Sequence, residues 1–292
     1  ALKAQLETLS PYTKGFSGLE GDINTISSLE FINQNPIGKS SRSCPVTYVK
    51  AFDEIRALLS NTPHAKARGF KPSHFSFNVS GGRCEVCEGE GVITVGMQFM
   101  ADLKLKCDSC GGKRYSEEVL EVTWNGKNIH DILSMTVEDA ILFFAPEKGK
   151  HTSSNERRLT SKLQPLYDVG LGYVSLGQGS NTLSGGEAQR IKLATFLSRG
   201  DKQGHTLFVF DEPTTGLHVH DVSKLLESFN RLINQGHSII VIEHQMDVIK
   251  SADYVIDLGP EGGEAGGSLL FTGTPEELAN CKKSTTGQHL KL

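Results

Sequence analysis

Four of the six cysteines stand as two pairs, Cys84-x-x-Cys87 and Cys107-x-x-Cys110, with 19 residues between them. A two-residue gap lets both thiolates of a pair face one ion, and thiolate is a preferred ligand of Zn²⁺. Glycine follows each pair, at Gly89 and at Gly111-Gly112. Residues without Cβ let backbone amides turn toward the sulfurs. The spacer suits a hairpin that returns the second pair to the first, which is zinc-ribbon spacing; a redox dithiol is the competing reading. Four cysteines fill a tetrahedral site and leave no open position, so the metal is expected to be structural. Cys44 and Cys281 fall outside the pattern and read as free thiols.

A second constellation lies further along. Leu183-Ser-Gly-Gly-Glu-Ala-Gln-Arg190 opens a helix with Ser184 at the N-cap and Glu187 three residues on, a capping-box pattern. A well-capped helix would explain this by itself. Gly185 and Gly186 add bare amides at the positive end of a helix, which is how phosphate is held. The run Leu207-Phe-Val-Phe-Asp211-Glu212 is an apolar strand that exits into two carboxylates, at the sheet edge where α/β ligands sit. Asp211 is placed to hold Mg²⁺ through water, and Glu212 to polarise an attacking water. A further strand, Ser238–Ile242, exits into Glu243-His244, and His244 could contact a terminal phosphate.

These groups need elements to position them. Asp22–Ile26 and Leu29–Ile32 alternate as strands do, and Pro45–Leu59 reads as a helix with proline in its first turn. Val92–Phe99 and Leu103–Lys106 form the expected hairpin between the cysteine pairs. Ile129–Phe144 and Glu156–Tyr167 read as helices, and Lys148–Asn155 as a polar loop. After Gly170, helices 184–199 and 219–234 alternate with strands 206–211 and 238–243, and Val255–Leu258 and Ser268–Phe271 add two more strands. Such alternation predicts an α/β layer architecture with a largely parallel sheet.

The chain has 292 residues, 37% hydrophobic and 22% charged, which excludes a disordered or collagen-like chain. No apolar run approaches the ~20 residues of a membrane span. Net charge is −4, yet Lys39 to Arg114 holds twelve lysines and arginines against seven acids, so the remainder carries −9. A basic segment on an acidic body is expected to face a polyanion, unless the contrast is mere patterning of solvated faces. No secretory signal opens the chain, and paired cysteines without one point to a reducing cytoplasm. It starts at Ala1 inside a helical-looking stretch, Ala1–Leu9, and is expected to be part of a longer protein.

The order of Leu183–Arg190, Asp211-Glu-Pro-Thr-Thr-Gly-Leu-His218 and Ile242-Glu-His244 resembles the ATP-binding cassette superfamily. With Asp257-Leu-Gly-Pro-Glu-Gly-Gly263 and the upstream Cys84–Gly91 knuckle, the chain is similar to the UvrA family of bacterial nucleotide excision repair, over essentially its whole length and corresponding to the C-terminal part. The resemblance implies a cassette nucleotide-binding lobe with a helical signature domain and an inserted zinc-ribbon-like hairpin. It divides the chain into 1–40 (front of the lobe), 41–182 (signature domain with the zinc module at 84–114) and 183–292 (signature helix and the rest of the lobe). It implies a DNA-repair ATPase using ATP and Mg²⁺, with Asp211 at the metal, Glu212 as base, His244 as switch, Gly216–His218 in a communicating loop and Gln34 as the glutamine after an early strand. Ser184, Gly185, Gly186 and Glu187 would act on ATP held by the opposite nucleotide domain. Damaged double-stranded DNA, a second copy of the full-length protein and a UvrB-like helicase subunit are the implied partners. Arg83, Lys104, Lys106, Lys113 and Arg114 are the local candidates for DNA, each otherwise a solvated cation.

One departure is plain: the chain contains no complete G-x-x-x-x-G-K-[ST]. Gly38-Lys39-Ser40 imitates its end, but Asn33 stands where the first glycine belongs and Pro36 falls inside. The family implies that this phosphate loop lies upstream, and the chain alone is therefore expected to turn over little ATP. A transporter ATPase subunit would share the nucleotide motifs but not the zinc insertion. A zinc-knuckle module binding unfolded polypeptide would share the knuckle but not residues 183–244.

Overall fold

A computed structural model describes residues 20–38, 42–97, 102–145, 154–198, 204–260 and 267–291, with Leu2 and Leu6. The rest of the expected Ala1–Leu9 helix, Lys39 and Ser40 of the imitation loop, the polar stretch up to position 153 and Glu261–Gly263 lie outside the described residues. In chain order the main elements are β1 (Ser28–Ile32), α1 (Phe52–Ser60), β2 (Val92–Val95), β3 (Leu103–Lys106), α2 (Ile129–Ser134), α3 (Val137–Phe144), α4 (Ser154–Asp168), α5 (Gly185–Leu197), β4 (Thr206–Asp211), α6 (Val219–Asn234), β5 (Ser238–Ile242), β6 (Val255–Gly259) and β7 (Ser268–Gly273). They fall into two units, Ala1–Asn33 with Asp201–Leu292, and Gln34–Gly200.

The first unit holds a parallel sheet in the order β1-β4-β5. Along α6, Val222, Leu225, Phe229 and Leu232 are buried at three- and four-residue spacing, so one stripe of the helix is apolar. Phe208 and Phe210 of β4 are buried, and the Phe210 ring stands 4.7 Å from that of Phe229. Alternate residues of β4 are thus core. The opposite sheet face carries Phe31, Ile240 and Ile242, all exposed. β6 and β7 form a separate antiparallel pair, so among the described residues the parallel arrangement is confined to three strands. Asp257 of β6 accepts hydrogen bonds from Ser284 Oγ (2.5 Å) and Thr286 Oγ1 (3.4 Å), which fastens the C-terminal helix Thr285–Leu290.

The second unit is mostly helical. Phe52 of α1 stacks on Phe77 at 5.2 Å, and the buried Tyr115 meets Phe77 edge-on and donates to Phe75 O at 3.1 Å. This aromatic cluster supports the base of the cysteine module, where Arg83 and Tyr115 bridge and Cys84 N–H donates to Arg114 O at 2.9 Å. β2 and β3 pair antiparallel with Thr94 opposite Lys104 and Val92 opposite Lys106. Side chains alternate across a strand. Lys104 and Lys106 therefore share one face, while Ile93, Val95, Leu103 and Leu105 share the other and are exposed.

Local chemistry corrects several expected boundaries. Asp22–Ile26 contains a 3₁₀ turn (Ile23–Thr25) and no strand. The expected helix over Pro45–Leu59 is two, because Lys50 takes a left-handed backbone (φ 58°) between Pro45–Tyr48 and α1. The expected helix over Ile129–Phe144 is also two. Thr136 is extended and its side chain accepts from Asp139 N–H at 3.1 Å, an N-cap that starts α3 afresh. The expected strand over Val92–Phe99 ends at Val95. Among the described residues no helix is long and apolar enough to cross a membrane.

Candidate functional site

The two cysteine pairs come together. All four Sγ atoms lie within 4.8 Å of one another, with Cys84–Cys107 at 4.0 Å and Cys87–Cys110 at 3.7 Å. A Zn–S bond of ~2.3 Å in a tetrahedron gives a sulfur–sulfur edge of about 3.8 Å. The donor set therefore fits Zn²⁺. Positive φ at Gly89, Gly91, Gly111 and Gly112 turns the backbone around the sulfurs, and Gly91 N–H donates to Cys87 Sγ at 3.2 Å. Burial raises the Cys84 thiol, but the backbone N–H groups of Cys87 and Val86 outweigh it and bring the pKa down to about 7. Burial dominates at Cys87, whose thiol is pushed up to about 12, and it also raises Cys110.

The signature residues lie in the second unit. Ser184 Oγ accepts from Glu187 N–H at 3.3 Å, and Ser184 N–H donates to Glu187 Oε2 at 2.7 Å, so the capping box closes. The other Glu187 oxygen accepts from the Tyr173 hydroxyl at 2.8 Å. Burial raises the Glu187 carboxyl, yet the Ser184 N–H and the Tyr173 hydroxyl outweigh it and hold it below the usual range. Gln34 stands at the same helix start. A Cβ on Gly185 would lie 2.9 Å from Gln34 Cβ and 3.0 Å from its Oε1, so this glycine is required by close approach. Lys192 Nζ donates to Asn35 O at 2.8 Å and ties that turn to α5.

Replacing Ser184 by alanine is expected to cost about 1 kcal/mol. Urea unfolding at neutral pH measures it. Glu187 has a folded pKa below its unfolded one, so its share of the cap is present above the ordinary carboxylate pKa. That share is lost as pH falls through the lowered value.

The acids and the histidine lie in the first unit. Asp211 ends β4, and Glu212 follows with φ 45°, an unusual backbone for a non-glycine residue. Glu212 N–H donates to Ile242 O at 2.9 Å, which joins the ends of β4 and β5. His244 Nε2 lies 3.6 Å from Glu212 Oε1. Glu243, which the motif reading left without a role, is the clamp behind them. Its Oε1 accepts from Thr214 N–H (2.8 Å) and Thr214 Oγ1 (2.6 Å), and its Oε2 from the His244 N–H (2.9 Å) and Gln245 N–H (3.1 Å). One carboxylate thus fixes the loop after Glu212 against the loop of His244. Glu243 had no sequence signal beyond adjacency to His244, and Tyr173, ten positions before Leu183, had none.

No protein-family model matches the chain. Curated relatives do. UvrABC system protein A of Clostridium perfringens is 55% identical over 260 residues, 89% of this chain and 27% of that protein. The Aquifex aeolicus protein of the same name is 53% identical over 277 residues, 93% of this chain and 29% of that one. Over nearly its whole length, the chain is a UvrA-family sequence. The crystal structure of UvrA2 from Deinococcus radiodurans superposes with a TM-score of 0.83 at 45% identity, covering 95% of this chain and 33% of that one. The chain thus spans between a quarter and a third of these UvrA relatives. Its architecture is the UvrA-type cassette lobe with a helical signature part and an inserted cysteine hairpin.

The five basic candidates differ in surroundings. Arg83 Nε is paired with Glu85 Oε2 at 3.3 Å. Arg114 lies over the Phe77 ring at 5.4 Å and donates from Nη1 to Gly177 O at 3.2 Å. Lys104, Lys106 and Lys113 are exposed.

Proposed function

We propose that this chain is the C-terminal portion of a cytoplasmic DNA-repair ATPase that recognises damaged double-stranded DNA in nucleotide excision repair. ATP binding and hydrolysis would control its engagement of DNA and the loading of a UvrB-like helicase subunit, and the full-length protein would act as a homodimer. The observation that carries this reading is UvrA homology across nearly the whole chain, which favours it over a transporter subunit or a polypeptide-binding zinc module.

The chain's own residues have these parts. Cys84, Cys87, Cys107 and Cys110 would hold a structural Zn²⁺ that keeps β2 and β3 paired. Asp211 would hold Mg²⁺ through water, and Glu212 would accept a proton from the attacking water, with Glu243 positioning the two loops. His244, beside Glu212, would face the terminal phosphate. ATP supplies the phosphoryl group, and the bare amides of Gly185 and Gly186, capped by Ser184, would face its γ-phosphate when the opposite nucleotide domain presents it. Gln34 and Glu187 would shape that helix end. Lys104, Lys106 and Lys113 would contact DNA phosphates, with Arg83 and Arg114 holding the module's base. Such contacts position a protein without reading sequence, as suits a sensor of varied lesions.

The test is binding to a fluorescent duplex, with and without one bulky adduct, across a salt series. Binding should weaken as salt rises, with a log–log slope of about 0.9 per phosphate contacted. Changing Lys104 and Lys106 together to Gln should reduce the slope by about two. Salt-independent binding, or none at low salt, would remove these lysines from the DNA surface.

A further inference from the structure

Within the second unit, a cleft of about 350 Å³ lies just past the second cysteine pair. Its lining includes Lys113, Arg114, His130 and Ser134 of α2, and Gln178. No carboxylate is found among the described residues that line it. Asp131, beside His130, turns one carboxylate oxygen to the Asn128 N–H at 3.0 Å, inside its own helix cap. Arg114 is held as a fixed charge by Gly177 O and the Phe77 ring.

The cleft continues the cationic face of the hairpin. Gly112 has φ +79°, and a Cβ there would come within 2.9 Å of Lys106 Cε. The Lys106 stem therefore lies against Gly112 in the cleft lining, and Lys104 shares its strand face. Burial keeps the His130 imidazole below its ordinary pKa. Lys113, Arg114 and Lys106 push the same way, and Asp131 opposes them. A half-buried histidine among three cations is poised for an anion whose charge reverses that balance.

We propose that this cleft is a phosphodiester subsite, taking a backbone phosphate of nucleic acid that tracks from the Lys104–Lys106 face, with His130 becoming a cationic ligand as the phosphate enters. The proposal deepens the DNA-binding reading above and rests on it. The sign follows from the charges. An entering phosphate favours imidazolium, so binding takes up a proton. Affinity rises as pH falls through the bound-state pKa of His130 and levels off below its lowered free-state value.

The experiment titrates an undamaged fluorescent duplex with the zinc-loaded full chain at constant ionic strength, from about pH 8 to about pH 6, across the ordinary range of histidine. Affinity should rise roughly threefold to tenfold. His130→Gln should erase most of this rise. Lys113→Gln should weaken binding at every pH and lower the salt slope by about one. Lys104→Gln, which changes no group acting on His130, should bind more weakly throughout yet keep the pH ratio. A pH ratio in His130→Gln equal to the parent's overturns the subsite and leaves the hairpin reading standing. Failure of every form to bind duplex at low salt overturns both. Inorganic tripolyphosphate is the arm for a free ligand: if His130→Gln loses tripolyphosphate binding while its duplex titration matches the parent's, the cleft serves a free polyphosphate and the proposal fails.

Discussion

Cys107→Ser is expected to empty the metal centre. The parent chain should carry one zinc, measured by atomic emission, and the variant none. Cys107 is fully buried, and its sulfur faces Cys84 at 4.0 Å, so a serine there withdraws one of the four ligands that cluster among the described residues. The structural consequence should be large. β2 and β3 are four residues each, and one face of the ribbon is apolar and exposed, so little besides the knuckles stabilises it. Apparent Zn²⁺ binding to small four-ligand sites contributes about 10–16 kcal/mol near neutral pH, most of it expressed as local folding. Amide exchange across 92–106 should lose protection in the variant, while the parallel sheet of the other unit keeps it. One zinc per chain retained by Cys107→Ser would end the four-cysteine assignment.

The same site has a pH dependence whose sign is set by its thiols. Cys84 titrates near 7, whereas Cys87 is pushed up to about 12 and Cys110 is raised. The metal needs thiolates, so loading releases protons, and zinc affinity should fall as pH is lowered.

The second large effect concerns turnover. In the full-length protein, Glu212→Gln should lower ATP hydrolysis by about 10²–10⁴-fold, the usual contribution of a positioned base, while ATP still binds. The isolated 292-residue chain should hydrolyse ATP negligibly, since its sequence has no complete G-x-x-x-x-G-K-[ST] to cradle the β- and γ-phosphates. Steady-state phosphate release on both proteins measures this. Robust turnover by the isolated chain that disappears in Glu212→Gln would show that the loop is dispensable. Glu243→Gln should also slow the full-length enzyme, through position and not through proton transfer. Its pH–rate profile should therefore keep the parent's shape at a lower plateau.

What could be read from residue order was what is encoded within a turn, a strand or a hairpin. Two Cys-x-x-Cys pairs bring four sulfurs within 4.8 Å of one another because the spacing, the glycines and a short ribbon settle the geometry locally. β4, β5, α5 and α6 were legible for the same reason, each through its own period and end signals. The capping box at Ser184–Glu187 needed only three residues to be recognised and only three to form. The misread boundaries were local too, where an apolar period ran through a cap at Thr136 or a left-handed residue at Lys50.

Tertiary structure decided the rest. Nothing in sequence spacing places Gln34 against Gly185, or Lys192 on a carbonyl 157 positions away. The same holds for the Glu243 clamp on Thr214, 29 residues upstream, and for Arg114 fixed on Gly177 beside His130. These contacts follow from how buried faces stack. Apolar burial is non-directional and records which face goes inward, but not which neighbour it meets. The four-cysteine cluster was therefore written along the chain, whereas the supports of Ser184, Glu187, Glu212 and His244 and the cationic cleft exist only once distant segments have packed.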